Sequence, residues 1–237
     1  MADGVTPLEG GDRAGQLARL ILWFSPAFPT GAFSFSHGLE WAVEAGDVHD
    51  RASLEIWLDG LLRHGSGWSD AVLMAAAHRA VTAGDVDGLA DLAALALALQ
   101  PTRERRLETA VQGEAFLKAV EVGWSGAATT MLRQALPHAP PLAIAVGATT
   151  AGAGIEVETA ITAALTGFCA NLVSASVRLA PIGQSDGLRV LSALEGRIAR
   201  TASRAAIAPL SAVGGCAFRS DIASMRHETQ ETRLFRS

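Results

Sequence analysis

His37 and Glu40 are the two residues of this sequence whose types and spacing come nearest to a chemical site. They stand three positions apart on a predicted helix, where an imidazole and a carboxylate can face one metal ion. Helical di-iron proteins use Glu-x-x-His twice with two further Glu, whereas the order here is reversed and occurs once. The pair is therefore predicted to be a local helix contact, with transient metal contact at His37 or His227 as the alternative. No closed metal site is predicted.

The motifs of nucleotide-binding and nucleophilic enzymes are absent from the sequence. The single lysine, Lys118, does not stand in a P-loop, and neither G-x-G-x-x-G nor G-x-S-x-G occurs. Cys169 and Cys216 are 47 positions apart in apolar surroundings, so we expect buried free thiols and neither a disulfide nor a zinc site. No catalytic residue is predicted.

The composition excludes a disordered chain and argues against a nucleic-acid ligand. Hydrophobic residues make up 49% of the chain and charged residues 18%, which is enough apolar surface for a large core. The 19 basic and 24 acidic residues give a net charge of -5, with no basic block. The acidic start, with Asp3, Glu9 and Asp12, lacks the pattern of a signal peptide, so a cytoplasmic protein is predicted.

Apolar residues recur at helical spacing along almost the whole chain, and runs of strict alternation are missing. The sequence therefore predicts an all-α fold, a single-domain bundle of about ten helices followed by a charged C-terminal tail. Asp50 and Ser69 are the expected N-caps of two helices, and further helices are expected to start at Asp85 and Thr102. The firmest break is expected at the prolines between residues 137 and 141.

One uncharged run, Thr159–Val177, has the length of a membrane span. Its nineteen residues would form a helix about 28 Å long. Seven of them are Thr, Ser, Gly or Asn, and neither a Lys/Arg asymmetry nor an aromatic belt flanks the run. We expect a central, fully buried helix and no membrane, with a membrane helix as the alternative.

Three segments have residue choices that core packing does not require. The first, the aromatic loop (residues 26–38), sets three phenylalanines between prolines and glycines and is expected to present them outward, with a turn whose Phe side chains cover the core as the alternative. In the second, residues 181–187, the side chains of Gln184, Ser185 and Asp186 are expected to cap a helix. The third, the tail (residues 219–237), has four Arg, three acids and one His, with no Gly or Pro. Its charged composition is typical of a poorly ordered terminus, and its apolar pair, Leu234 and Phe235, indicates as the alternative a segment that becomes ordered on a partner.

Five stretches contain specific residue combinations: WFSPAFPTGAFSFSHGLE at 23–40, ETxxQGxxF at 108–116, NLVSA at 171–175, PIGQSDG at 181–187 and HETQETRLFRS at 227–237. In this order they resemble the UreF family of urease accessory proteins, from about residue 18 to the end. The resemblance divides the chain into a variable segment (1–17), an all-α UreF-like domain (18–218) and the tail (219–237). Many family members have Tyr where this chain has Phe35. Phe35 has no hydroxyl group, so only the packing of the ring can be shared with those members.

The resemblance implies an assembly protein and no enzyme. Such a protein forms a homodimer and joins a scaffold accessory protein (UreD/UreH type) and a nickel-carrying GTPase (UreG type). The complex handles the nickel for apo-urease, and the chain itself binds no cofactor stably. The tail is implied to order when the scaffold binds. The alternative from another class is an all-α metal-dependent enzyme that uses His37, Glu40 and Asp186 in an interhelical cavity.

The partner-binding residues that follow from the resemblance lie in the aromatic loop and the helix after it, in the segment 181–187 and in the tail. They are Phe33, Phe35, Ser36, His37, Glu40, Gln184, Asp186, His227, Glu228, Gln230, Arg233, Leu234 and Phe235.

Overall fold

The structure, a computed structural model, describes residues 13–237, and these residues form eleven α-helices, two short 3-10 turns and no strand. The predicted all-α bundle of about ten helices is confirmed. The helices are α1 (Arg13–Trp23), α2 (Leu39–Glu44), α3 (Arg51–His64), α4 (Ser66–Ala83), α5 (Val86–Ala98), α6 (Arg103–Trp124), α7 (Ala127–Ala135), α8 (Leu142–Gly152), α9 (Val157–Leu179), α10 (Gln184–Ala206) and α11 (Phe218–His227). Of the predicted variable segment, only residues 13–17 lie within the described residues, and they begin α1.

Side-chain caps determine where α3, α5 and α6 begin. The Asp50 carboxylate accepts a hydrogen bond from the Ser53 amide at 2.8 Å, and the Ser53 hydroxyl accepts one from the Asp50 amide at 3.0 Å. Asp85 and Thr102 each accept from the amide three residues on. Each cap satisfies an amide that has no partner inside its helix and contributes about 1 kcal/mol. The starts predicted at these three residues are confirmed.

Two other predicted caps are wrong. Helix α4 begins at Ser66, directly after Gly65, so Ser69 lies inside the helix. Helix α10 begins after Gly183 without a side-chain cap, and the Asp186 carboxylate pairs with Arg189 on the same helix instead. Because residues 183–185 are exposed, water can satisfy the first amides of α10 and no side chain is required.

Helix α8 lies at the centre of the bundle, and its residues 143–150 are all buried. Two glycines allow this dense packing. A Cβ atom on Gly147 would lie 2.3 Å from the carbonyl oxygen of Met74, so α8 and α4 approach each other backbone to backbone. A Cβ atom on Gly113 would lie 1.9 Å from the carbonyl oxygen of Pro140, so α6 is pressed against the turn before α8. Small residues therefore set the spacing of the three central helices.

An aromatic cluster attaches α1 and the aromatic loop to α6. The Trp23 ring meets Phe116 at 5.7 Å and Trp124 at 5.8 Å between centroids, both edge to face. Phe28, in the aromatic loop, lies 5.5 Å from Phe116. Such pairs contribute about 0.5–1.5 kcal/mol each beyond the burial of their area. The cluster therefore places the beginning of the aromatic loop on the body of the protein.

Helix α9 departs from the prediction of a fully buried helix. It is the one helix within residues 13–237 that is long and apolar enough to cross a membrane, and 44% of its most apolar stretch is buried. Glu158, Thr159, Thr166 and Ser174 are exposed on its outer face. A helix that packs on α2, α4, α8 and α10 with one side needs apolar residues on that side only.

The tail contains a helix that the sequence did not predict. Helix α11 begins at Phe218 and packs against α2, and the residues after it return along the same part of the molecule. Ser220, Ser224 and His227 on its inner face are buried. In this structure the tail is thus folded against the body of its own chain.

Candidate functional site

The end of the tail pairs with the aromatic loop through the backbone. The Arg236 amide donates to the carbonyl of Ser34, and the Ser36 amide donates to the carbonyl of Ser237, both at 2.9 Å. The Ser36 hydroxyl donates to the same Ser237 carbonyl, although the two residues are 201 positions apart. Ser36 and Ser237 are fully buried. Two distant parts of the sequence therefore form one continuous surface.

Glu40 holds the tail next to this pairing. Its carboxylate lies in the first turn of α2 and accepts hydrogen bonds from the amides of Leu234 at 2.6 Å and Phe235 at 2.9 Å. The side chain is buried. Since hydrogen bonds to a charged group contribute about 1.5–3 kcal/mol each, the two bonds to Glu40 hold the tail end firmly.

Left-handed backbone before α2 brings Glu40 to the tail. Gly38 has φ 78°, and a Cβ atom there would lie 2.9 Å from the Ser224 amide of α11. His37 has φ 61°, a conformation that costs a residue with a Cβ atom about 1–2 kcal/mol. Because His37 precedes α2, it does not face Glu40 across a helix turn, and the predicted local contact between the two is wrong.

His227 joins α11 to two other helices. Its ring is fully buried, with Nδ1 2.6 Å from Glu104 Oε2 of α6 and Nε2 3.2 Å from Glu40 Oε2 of α2. Both ring nitrogens face carboxylate oxygens, and an imidazolium can donate to both of them, whereas a neutral imidazole donates at one. The other oxygen of Glu104 accepts from Arg233 at 2.7 Å. Glu104 therefore links the helical part of the tail to its end.

Two further tail residues make hydrogen bonds to the body. The Gln230 amide group donates to Glu44 of α2, and the Glu228 carboxylate accepts from the Glu104 amide at 3.2 Å. Gln230 is buried, and Glu228 is exposed. The tail is thus held along its whole length after α11.

A second buried network, centred on Glu108 of α6, lies below the first. Glu108 accepts from the Ser237 hydroxyl at 2.7 Å and from Arg105 at 2.9 Å. His37 Nδ1 lies 3.4 Å from Glu108, and His37 Nε2 lies 2.6 Å from the Ser66 hydroxyl. His37 therefore connects the aromatic loop to α4 and α6, and each of its ring nitrogens has a partner.

A polar cavity of about 220 Å³ adjoins this network. His37, Ser66, Asp70 and Arg105 are among its lining residues. Burial, together with the negative charge of Glu108, raises the pKa of Asp70 from 3.8 to about 7. A cavity of this size and polarity has room for several water molecules.

The three phenylalanines of the aromatic loop have different surroundings. Phe28 is half-buried in the aromatic cluster, and Phe33 is 64% exposed. Phe35 is 1% exposed, and Arg236 of the docked tail lies 5.3 Å from the centroid of its ring. The expectation that the loop presents all three rings is wrong, since only Phe33 is exposed.

The structure brings eleven of the predicted partner-binding residues together around the docked tail, and two are not part of that site. Gln184 is exposed at the start of α10, and Asp186 pairs with Arg189 at 2.8 Å. The prediction of two buried free thiols is confirmed for Cys169 and wrong for Cys216, which is exposed. Burial raises the pKa of Cys169 to about 12.

Sequence reasoning missed the residues of the body that receive the tail. Glu104 and Arg105 lie in the first turn of α6, and Arg178 lies in the last turn of α9. A signal was available for α6, because a helix with Glu108 and Gln112 on the same face as Phe116 buries charge beside apolar residues. No local pattern identifies the others, since their partners lie far away along the chain.

The arrangement can hold a peptide segment, and its acids and histidines are occupied in doing so. His37 and Glu40 belong to different networks, and Asp186 contacts neither residue through a hydrogen bond in the described part of the chain. Within residues 13–237 no group of three His, Cys, Asp or Glu side chains is arranged to hold a metal ion.

Fold and site together define a class of protein: an all-α chain whose distinctive feature is a tail docked on an aromatic loop. A family model described as UreF matches residues 48–195. The urease accessory protein UreF of Rhodopseudomonas palustris strain HaA2 is 48% identical over 226 residues, which is 95% of each chain. That of Bradyrhizobium diazoefficiens is 46% identical over 235 residues, 98% of this chain and 97% of the relative. The chain belongs to the UreF family of urease accessory proteins.

Proposed function

We propose that this chain acts in urease maturation as an assembly protein without catalytic residues of its own. In the cytoplasm it joins a scaffold accessory protein of the UreD/UreH type and a nickel-carrying GTPase of the UreG type, and nickel reaches apo-urease through that complex. The observation that carries the proposal is the joining of the aromatic loop and the tail into one surface. Its relatives, named urease accessory proteins, support the same role.

The surface has the composition of a protein-binding site. Phe33 is 64% exposed and Leu234 is 57% exposed, and the Arg233 side chain is 39% exposed. Aromatic and Arg side chains are enriched at protein interfaces, and an exposed Leu beside them adds apolar contact area. The buried members of the predicted set, such as Glu40 and His227, would then position the surface and make no contact with the partner.

Differential binding is a sufficient mechanism. A protein that binds the GTPase more tightly in one nucleotide state shifts the equilibrium between the states by the difference in affinity. No side chain of this chain needs to react. In this mechanism the GTPase carries the nickel, and this chain needs no residue that contacts the metal.

A homodimer is part of the proposal. Leu17, Ile21 and Leu22 of α1 are 58%, 63% and 52% exposed. Neighbouring apolar side chains on one helix favour an interface with a second copy.

Size-exclusion chromatography with light scattering tests the proposal. The purified chain would be measured alone and with its scaffold and GTPase partners, with and without GTP and nickel. We expect a dimer alone and a defined hetero-complex with the partners. Phe33→Ala and Leu234→Ala should weaken that complex, whereas Ile56→Ala, at a position on α3 that is 73% exposed, serves as the matched control. A chain that ignores both partners under all conditions would overturn the proposal.

A further inference from the structure

Arg178, in the last turn of α9, contacts both the aromatic loop and the tail. Its guanidinium carbon lies 3.6 Å from the centroid of the Phe33 ring and 4.2 Å from that of Phe235. Its Nη1 atom donates to the carbonyl oxygen of Phe33 at 2.6 Å. One side chain therefore contacts one exposed ring and one buried ring.

The planar guanidinium suits this place. It can stack on aromatic rings while its N–H groups donate in the plane, and an ammonium group cannot do both. Burial lowers the pKa of Arg178 from its ordinary value, and the negative charge of the nearby Glu40 opposes that shift. The same carboxylate thus accepts from the tail amides and attracts the guanidinium that contacts Phe235.

We propose that Arg178 is a positioning residue that couples the exposed Phe33 ring to the docked state of the tail. When the tail leaves, Arg178 loses the Phe235 ring and Phe33 loses its orientation. When Phe33 is removed, the tail is held less tightly. A partner that binds Phe33 is then sensitive to whether the tail is docked, although Arg178 itself need not contact the partner.

Hydrogen exchange of the isolated chain tests this coupling. Arg178→Met keeps the length of the side chain and removes its charge and donors. We expect the amides of residues 234–236 to exchange about tenfold faster, which corresponds to a loss of about 1.4 kcal/mol. Arg178→Lys keeps the charge without the planar group, so its exchange should be intermediate. Arg189→Met, which replaces an exposed Arg on α10, is the matched control. Its amides at residues 234–236 should exchange at the rate of the unmodified chain.

A double-mutant cycle separates coupling from a merely structural role. Phe33→Leu alone should also speed exchange at the tail end, and adding it to Arg178→Met should change little further. Unchanged exchange in Arg178→Met, or effects of the two changes that simply add, would overturn the inference. If Arg178→Met does not fold, the result for Arg178→Lys decides in the same way.

Only the effect on a partner rests on the proposed function. If the exchange coupling is present but the unmodified chain binds neither the scaffold nor the GTPase, the proposed function is wrong and the coupling stands. If both partners bind and the tail exchanges equally in all variants, the role of Arg178 is wrong and the proposed function stands.

Discussion

Replacing Glu40 with Ala should release the tail without unfolding the protein. The change removes the acceptor of the Leu234 and Phe235 amides, at 2.6 and 2.9 Å, and one partner of His227. At about 1.5–3 kcal/mol for each hydrogen bond to a charge, the two amides alone represent about 3–6 kcal/mol of docking free energy. Because the freed tail can be hydrated, the loss should appear as local opening and leave the core intact.

Hydrogen exchange measured by mass spectrometry is the suitable assay. Exchange at residues 234–236 should accelerate by about two to four orders of magnitude, since each 1.4 kcal/mol is a factor of ten. Amides of the buried helix α8 should keep their rates. Glu40→Gln retains an acceptor oxygen without the charge, and it should give a smaller acceleration than Glu40→Ala.

Glu195→Ala, at an exposed acid on α10, is the control for removing a negative charge, and its exchange should match that of the unmodified chain. If Glu40→Ala leaves exchange at the tail end unchanged, the carboxylate does not hold the tail. Equal acceleration in α8 would show that the site supports the whole fold and not a separable segment.

Three further predictions concern the interior. The raised pKa of Asp70, about 7 against 3.8, means that the folded state holds this proton more tightly, so its contribution to stability is lost as pH rises from about 4 to 7. Between pH 4 and 8 the free energy of unfolding, measured with urea, should therefore fall by up to about 4 kcal/mol more in the unmodified chain than in Asp70→Asn, which has no carboxyl group at this position. The same pH dependence in both proteins would contradict this. Gly113→Ala should lower the free energy of unfolding by about 1–3 kcal/mol because its Cβ atom would clash with the turn before α8, whereas Gly123→Ala on the same helix has free space and should be neutral or stabilising. A thiol reagent should modify the exposed Cys216 and spare the buried Cys169 in the folded chain, and two reactive thiols would show that α9 opens readily.

Local signals predicted most of the helices. Asp50, Asp85 and Thr102 each satisfy an amide three residues away, so their effect is complete within one helix turn and visible in the sequence. Helix α11 escaped prediction because its charged composition resembles a solvated tail. Its buried face exists only through contact with α2.

The candidate site was predicted in its segments and not in its contacts. The resemblance identified the aromatic loop and the tail, but it could not show that Phe35 is buried or that Glu40 accepts hydrogen bonds from tail amides. It also named Gln184 and Asp186 as partner-binding residues, and the structure has them apart from the docked tail, because a family motif does not state which motifs meet in space. The residues that receive the tail, Glu104 above all, had no motif of their own that drew attention to them.

By itself the sequence determined the fold class, several of the helix starts and the membership of a family, since periodicity, caps and motifs act over a few residues. Only the tertiary structure decided which charges are buried and which rings are exposed. Glu40, Glu104 and His227 come from three separate helices, and the buried Glu40 and His227 have partners there only because folding brings the three helices together. Burial of a charge is stable only when partners compensate for lost water, and those partners are supplied by folding.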